Sequence, residues 1–323
     1  MEGSSVGSCR RRAGRALVVV ALPATVVALA SVVLAQGGGS WRTAVPLPSS
    51  RTEVTGAELD GKIYVIGGLG GGDLVEAYDP KTDRWERRAP LPVAVHHAAA
   101  VAVAGRVYVV GGYSGLLWSV LDGVYEYDPS SDRWRERAKL PTPRGALAAT
   151  VLDGRIHAVG GVGRDGKNTG ALEVFDPAAD RWEARAPMPT PRDHHAAAAL
   201  GGKLYVIGGR LDGNYSRNLD THEVYDPARN AWSLRAPVPT ARSGIAAVVL
   251  GRRIYVFGGE APSGTFNQVE AYEPDDDRWL VLAPMPTARH GLAAVAHQGR
   301  LYVLSGGPRP GGSFSSVNEV FTP

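Results

Sequence analysis

Cysteine is all but missing from this chain. Cys9 is the only one, and it precedes everything that reads as a folded domain. Disulfide staples and thiol chemistry are thereby excluded from the rest. Long apolar runs are scarce too: one alone, Ala16 to Ala35, is long enough to cross a bilayer. Beyond it no stretch keeps helical periodicity for three turns. An excess of charge of one sign is also lacking. The first 35 residues carry four Arg and one Glu, which leaves 31 basic and 31 acidic side chains in the remainder. With no basic stripe, a nucleic-acid partner is not expected. A nucleophile elbow, a phosphate loop and a cluster of metal-binding carboxylates are absent as well. No cofactor and no metal are expected.

What the chain does hold is a repeat. Glycine pairs occur at Gly67-Gly68, Gly111-Gly112, Gly160-Gly161, Gly208-Gly209, Gly258-Gly259 and Gly306-Gly307, spaced 44, 49, 48, 50 and 48 residues apart. The tryptophans Trp41, Trp85, Trp134, Trp182, Trp232 and Trp279 keep step. An apolar strand with an aromatic precedes most pairs, and a Glu-x-aromatic-Asp-Pro signature follows them, as in Glu76 to Pro80 and Glu223 to Pro227. Each unit reads as four short strands: Ala98 to Val103, Val107 to Val110, Val124 to Tyr127, and one around Trp134. Four strands at this period imply a propeller blade. Alanine suits the narrow inner strand, and one tryptophan per blade reads as packing between blades.

These residues resemble the kelch repeat family over Ser40 to Pro323, and the resemblance implies an all-β, six-bladed propeller. The ends support that count. Trp41 has no glycine pair before it, and the last pair has no tryptophan after it, so the Trp41 strand is expected to complete the last blade. Closure of that kind removes two sheet edges.

The domain reading is residues 1–35 as a signal peptide or signal anchor, 36–40 as a linker, and 41–323 as the propeller. Arg10, Arg11, Arg12 and Arg15 before the apolar run form a secretory layout, with Ala28-Leu29-Ala30 as a cleavage site and Val33 to Ala35 as a looser one. An extracytoplasmic location follows, with membrane contact only through residues 16–35 if they stay uncut, and a monomer is expected.

Strand parity sets the expected binding face. Strands two and four of a blade end on the same side, so the loop after each glycine pair and the segment opening the next blade share one mouth of the channel. That opening segment carries Arg51, Arg144, Arg192, Arg242 and Arg289, with Val95 at the position in the second copy. Five guanidinium groups around a mouth would suit a carboxylate, a sulfate or an acidic side chain, and Trp118 and Tyr215 would add apolar contact area. The same arginines, paired inside the blades, would instead be structural. The histidines at 96–97, 194–195 and 290 are expected to be structural, with His194 and His195 on opposite faces of a strand.

Three functions stay open. The chain is an interaction module for a protein partner or an acidic small ligand, a structural cell-surface module, or an enzyme. Radical copper oxidases of kelch type need a cysteine in the domain, and none exists here. Exported N-acetylneuraminate epimerases are also six-bladed kelch propellers. The stretch Gly258 to Pro262 loosely resembles theirs, which implies Glu260 as a general acid/base. Phe266 stands where that family carries an arginine, and Glu260 is otherwise a solvated loop acid.

Overall fold

The computed structural model describes residues 38–323 throughout, with Ala35–Gln36 and positions 1, 3, 4 and 7. Most of the expected export segment, Cys9 included, lies outside the described residues. Among the described residues there is no helix.

Six sheets follow one another in chain order, each built on four antiparallel strands, and the fifth also takes Ala35–Gln36 as a parallel strand on its outer edge. Blade 1 is Thr55–Leu59, Lys62–Ile66, Val75–Asp79 and Arg84–Arg87. Blade 2 is Ala99–Val103, Arg106–Val110, Val124–Asp128 and Arg133–Glu136. Blade 3 is Ala148–Leu152, Arg155–Val159, Leu172–Asp176 and Arg181–Arg185. Blade 4 is Ala196–Leu200, Lys203–Ile207, His222–Asp226 and Ala231–Leu234. Blade 5 is Ala246–Leu250, Arg253–Phe257, Val269–Glu273 and Arg278–Val281. Blade 6 is Ala293–His297, Arg300–Leu304 and Asn318–Thr322, completed on its outer side by Ser40–Thr43. The inner strands meet one another around a closed ring, blade 6 against blade 1.

The repeat's marker residues form the joints. Each phased tryptophan donates its indole N–H to a carbonyl of the preceding unit: Trp134 to Ala89, Trp182 to Ala138, Trp232 to Ala186 and Trp279 to Ala236 at 2.8–2.9 Å. Trp41 does the same to Ala283 at 3.0 Å, and its ring packs on Phe321 and Phe257. The Ser40–Thr43 strand is thus bolted to blade 5 as well as paired in blade 6. Deleting Gly39 to Leu47 leaves a bare edge and an aromatic-sized void. The expected cost is at least the ~3–5 kcal/mol of truncating a large aromatic, read as a sharp fall in melting temperature. An unchanged melting temperature would contradict this closure.

The glycine doublets sit where strand two leaves the sheet, with φ of 62° and 94° at Gly67 and Gly68. In blade 6 the register differs from the sequence reading. Ser305 and Gly306 take the two left-handed positions, with φ of 60° and 97°, and the Gly306 amide bonds to Arg51 O as Gly68 bonds to Val95 O. The Ser305 hydroxyl helps hold this turn by donating to Arg51 O at 2.6 Å.

Candidate functional site

The five blade-opening arginines do not line the mouth. Arg51, Arg144, Arg192, Arg242 and Arg289 are each 0% exposed. Each is ion-paired to the signature glutamate of its blade, Arg51 to Glu76 at 2.7 Å, Arg144 to Glu173, Arg192 to Glu223, Arg242 to Glu270, and Arg289 to Glu319 at 2.6 Å. A Ser or Thr two residues earlier donates to the same carboxylate, as Thr190 does to Glu223 at 2.9 Å. Most of the remaining N–H groups bond to carbonyls of the blade, for example Arg192 Nε to Gly208 O at 2.8 Å, while Arg51 Nε and Arg144 Nε find no partner. The structure therefore corrects the ligand role expected for these five residues. A planar cation with five donors satisfies the carbonyls freed where the glycine doublet leaves the ladder. In blade 2 both members are gone together: Val95 stands for the arginine and Tyr125 for the glutamate, and both lie in one apolar cluster.

The mouth is built one and two residues further on. Two positions after the arginine column stand Glu53, His97, Ala146, His194, Gly244 and Gly291, all left-handed with φ from 51° to 66°. Their amides and carbonyls link blade to blade, His97 N to Glu53 O, Ala146 N to His97 O, His194 N to Ala146 O, Gly244 N to His194 O and Gly291 N to Gly244 O. Val54 N on Gly291 O completes the circle at 3.3 Å. Three of these strained positions hold chemically active side chains, where glycine would be free of cost.

A second, outer ring is made by the residue after each doublet. Tyr113 bridges His96, Arg210 bridges Asp193, Glu260 bridges Ser243 and Gly307 bridges His290. The expected sharing of one face by these two kinds of segment is what brings the rings together.

Between the rings lies a cavity of ≈ 400 Å³ whose wall includes Glu53, His97, His194, Arg210 and Glu260, with Trp118, Tyr113 and Tyr215. Trp118, left-handed at φ 53° and 44% exposed, stacks its ring 4.7 Å from His97 and 5.3 Å from Tyr113. Tyr215 is half-buried, with the Arg210 guanidinium 5.7 Å from its ring centre.

Glu260 is buried, not solvated as the sequence suggested. Its Oε1 accepts from Arg210 Nη1 at 2.6 Å, and its Oε2 accepts from Gly311 N at 2.9 Å and lies 3.5 Å from His290 Nε2. Burial alone would raise its carboxyl; His290, the Gly311 amide and Arg210 outweigh that and hold it below the usual range. Asp193 follows the same logic. Burial is overcome by His194, Asn168 and the Gly213 amide, and its carboxyl falls far below the ordinary value.

Arg210 has only donors. Its Nη2 lies 2.8 Å from His194 Nε2, so that nitrogen accepts and the ring proton sits on Nδ1, donated to Asp193 at 2.5 Å. His97 is pushed well below its normal value by burial, then by His194 and His96, so it stays neutral. The carboxylates of Asp193 and Glu260 both pair with the Arg210 guanidinium, and Glu53 lies on the same cavity wall.

Sequence reasoning missed Glu53, Asp193 and Arg210, and assigned His97, His194 and His290 to structure. The available signal was Gly244 and Gly291, which mark a left-handed position two residues after the arginine in blades 5 and 6. Glu53, His97 and His194 hold that position elsewhere. His195 does turn the other way from His194, with its Nε2 on Val159 O at 3.1 Å.

Comparison with known proteins gives three findings. A family model described as the KLHDC2/KLHL20/DRC7 Kelch-repeats domain matches residues 39–209 and, overlapping, 141–307. A solved structure described as "Structure of YjhT" superposes with a TM-score of 0.77 over 86% of this chain and 96% of that one, at 17% identity. That level of identity carries the fold alone. No curated protein sequence matches.

Proposed function

This chain belongs to the Kelch-repeat family, whose propellers commonly serve as interaction modules, and on that premise we propose that its ligand is a small, neutral, hydroxyl-rich molecule of carbohydrate type held in the mouth of the channel. The observation that carries this is the convergence of Arg210, Glu260, His97 and His194 with the rings of Trp118, Tyr113 and Tyr215 around one cavity of ≈ 400 Å³. Small-ligand sites have this size and this mix of apolar wall and few polar groups. Aromatic faces pack on the C–H faces of a sugar ring, and the charged floor exchanges hydrogen bonds with its hydroxyls.

A neutral ligand is favoured over an acidic one, because the five arginines are paired within the blades and the floor carries more carboxylates than guanidinium groups. The epimerase-type reading draws its support from the Glu260–His290 contact of 3.5 Å. In anomer exchange Glu260 takes the proton of the anomeric hydroxyl while the ring C–O bond opens, and a proton is returned to the ring oxygen. Export of the domain is proposed as well, from the Arg10 to Ala35 layout. A protein partner is favoured by one separate feature. Leu116 and Leu117, in the same loop as Trp118, are 99% and 93% exposed.

A thermal-shift screen of neutral and acidic monosaccharides at millimolar concentration tests the pocket. Neutral sugars are expected to raise the melting temperature, Trp118→Ala and Tyr215→Ala to remove the shift, and Leu116→Ser with Leu117→Ser to leave it. Silence of every sugar overturns the proposal. A response to acidic sugars alone overturns its charge argument.

A further inference from the structure

Glu53, Glu260 and His290 aim three oxygen and nitrogen donors at one point in the wall of the mouth, within 4.8 Å of one another. His290 Nε2 lies 3.5 Å from Glu53 Oε1 and 3.5 Å from Glu260 Oε2. That separation is long for an N–H···O bond. Two ligands about 2.1 Å from a common ion at a tetrahedral angle, however, stand about 3.4 Å apart.

The orientation of His290 fits. Its Nδ1 faces the carbonyl of Gly307 at 3.1 Å, which in the neutral ring places the proton there and turns the Nε2 lone pair towards two carboxylates. A backbone carbonyl that fixes the tautomer in this way is the usual outer partner of a metal-ligating imidazole.

Two glycines make the room. A Cβ on Gly291 would sit 2.6 Å from Glu53 Oε1, and one on Gly307 would sit 2.5 Å from His290 Cε1. Glu260 and His290 are almost wholly buried, while Glu53 borders the cavity, so further positions face the pocket.

A second triad, Glu53, His97 and His194, is also near enough to share an ion. There the His194 Nε2 lone pair already accepts from Arg210.

We infer that Glu53, Glu260 and His290 bind a divalent transition-metal ion. One imidazole with two carboxylates suits Mn²⁺, Fe²⁺ or Zn²⁺ better than Ca²⁺.

The full-length protein, stripped with a chelator and dialysed, is titrated with Zn²⁺ and with Mn²⁺ by calorimetry, with metal content of the untreated protein measured in parallel. One equivalent is expected, with a raised melting temperature. Glu53→Gln and His290→Gln should each weaken binding 10-fold or more while keeping the parent's melting temperature in chelator. His97→Gln should leave affinity within about threefold. Absence of a saturable site overturns the inference. So does a site untouched by His290→Gln, or one lost in His97→Gln and kept in His290→Gln. No sugar is present, so failure here leaves the pocket reading intact, and a silent sugar screen leaves this one intact.

Discussion

Acidifying the protein from pH 7 to pH 4.5 should remove roughly 5 kcal/mol of stability through two histidines alone. His195 is pushed down to about 3 and His222 to about 4, in both cases chiefly by burial. An unfolded histidine titrates near 6.5. Their folded values are depressed, so the unfolded chain binds more protons between 6.5 and the folded pKa. The neutral rings therefore contribute fully above pH 6.5, and that contribution is lost as pH falls towards 4. Glu260 and Asp193, also depressed, add to the loss only below their unfolded carboxylate values.

The control is supplied by the repeat. Leu147 and Leu292 occupy the place of His195 in blades 3 and 6, and Leu172 that of His222 in blade 3. His195→Leu with His222→Leu should flatten the dependence of the urea midpoint between pH 7 and pH 4.5. A double variant with the parent's pH profile would contradict the assignment.

The second large effect concerns the pair at the root of each blade. Arg192→Val leaves the buried Glu223 with only Thr190 as a side-chain partner, and the expected loss is about 3–5 kcal/mol. Glu223→Tyr alone should cost a similar amount, because it strands a guanidinium. The double variant Arg192→Val, Glu223→Tyr copies the arrangement of Val95 and Tyr125 and should recover most of the loss. This follows because an uncompensated buried charge is far worse than an apolar contact of similar volume. Equilibrium unfolding of the two single variants and the double gives the coupling energy directly. Strict additivity would show that Arg192 and Glu223 act independently.

That pair also shows how far the residues themselves reach. Val95 and Tyr125 depart from the pattern in the same blade, and this was visible in the chain before any coordinates. It pointed to a structural partnership between the arginine column and the signature glutamate. Trp118, by contrast, stood out because it broke the tryptophan phase, and the structure puts it over His97 and Tyr113 on the cavity wall.

Blade number, strand order, the Trp41 closure and the sharing of one face by two kinds of segment were all determined by the residues alone. They depend on local signals repeated six times: a doublet that allows positive φ, a strand that alternates, a tryptophan in fixed phase. A repeat amplifies such signals. The site is where the copies differ, at single positions some 40 to 50 residues apart, and no local pattern says which of them meet. Only ring closure, which sets Glu53 of the first blade beside His290 of the last and Arg210 of the fourth against Glu260 of the fifth, decided that. Burial decided the rest. An arginine reads the same in sequence whether it faces solvent or a neighbouring glutamate, and here the carbonyls and carboxylate inside each blade outcompeted the mouth for it.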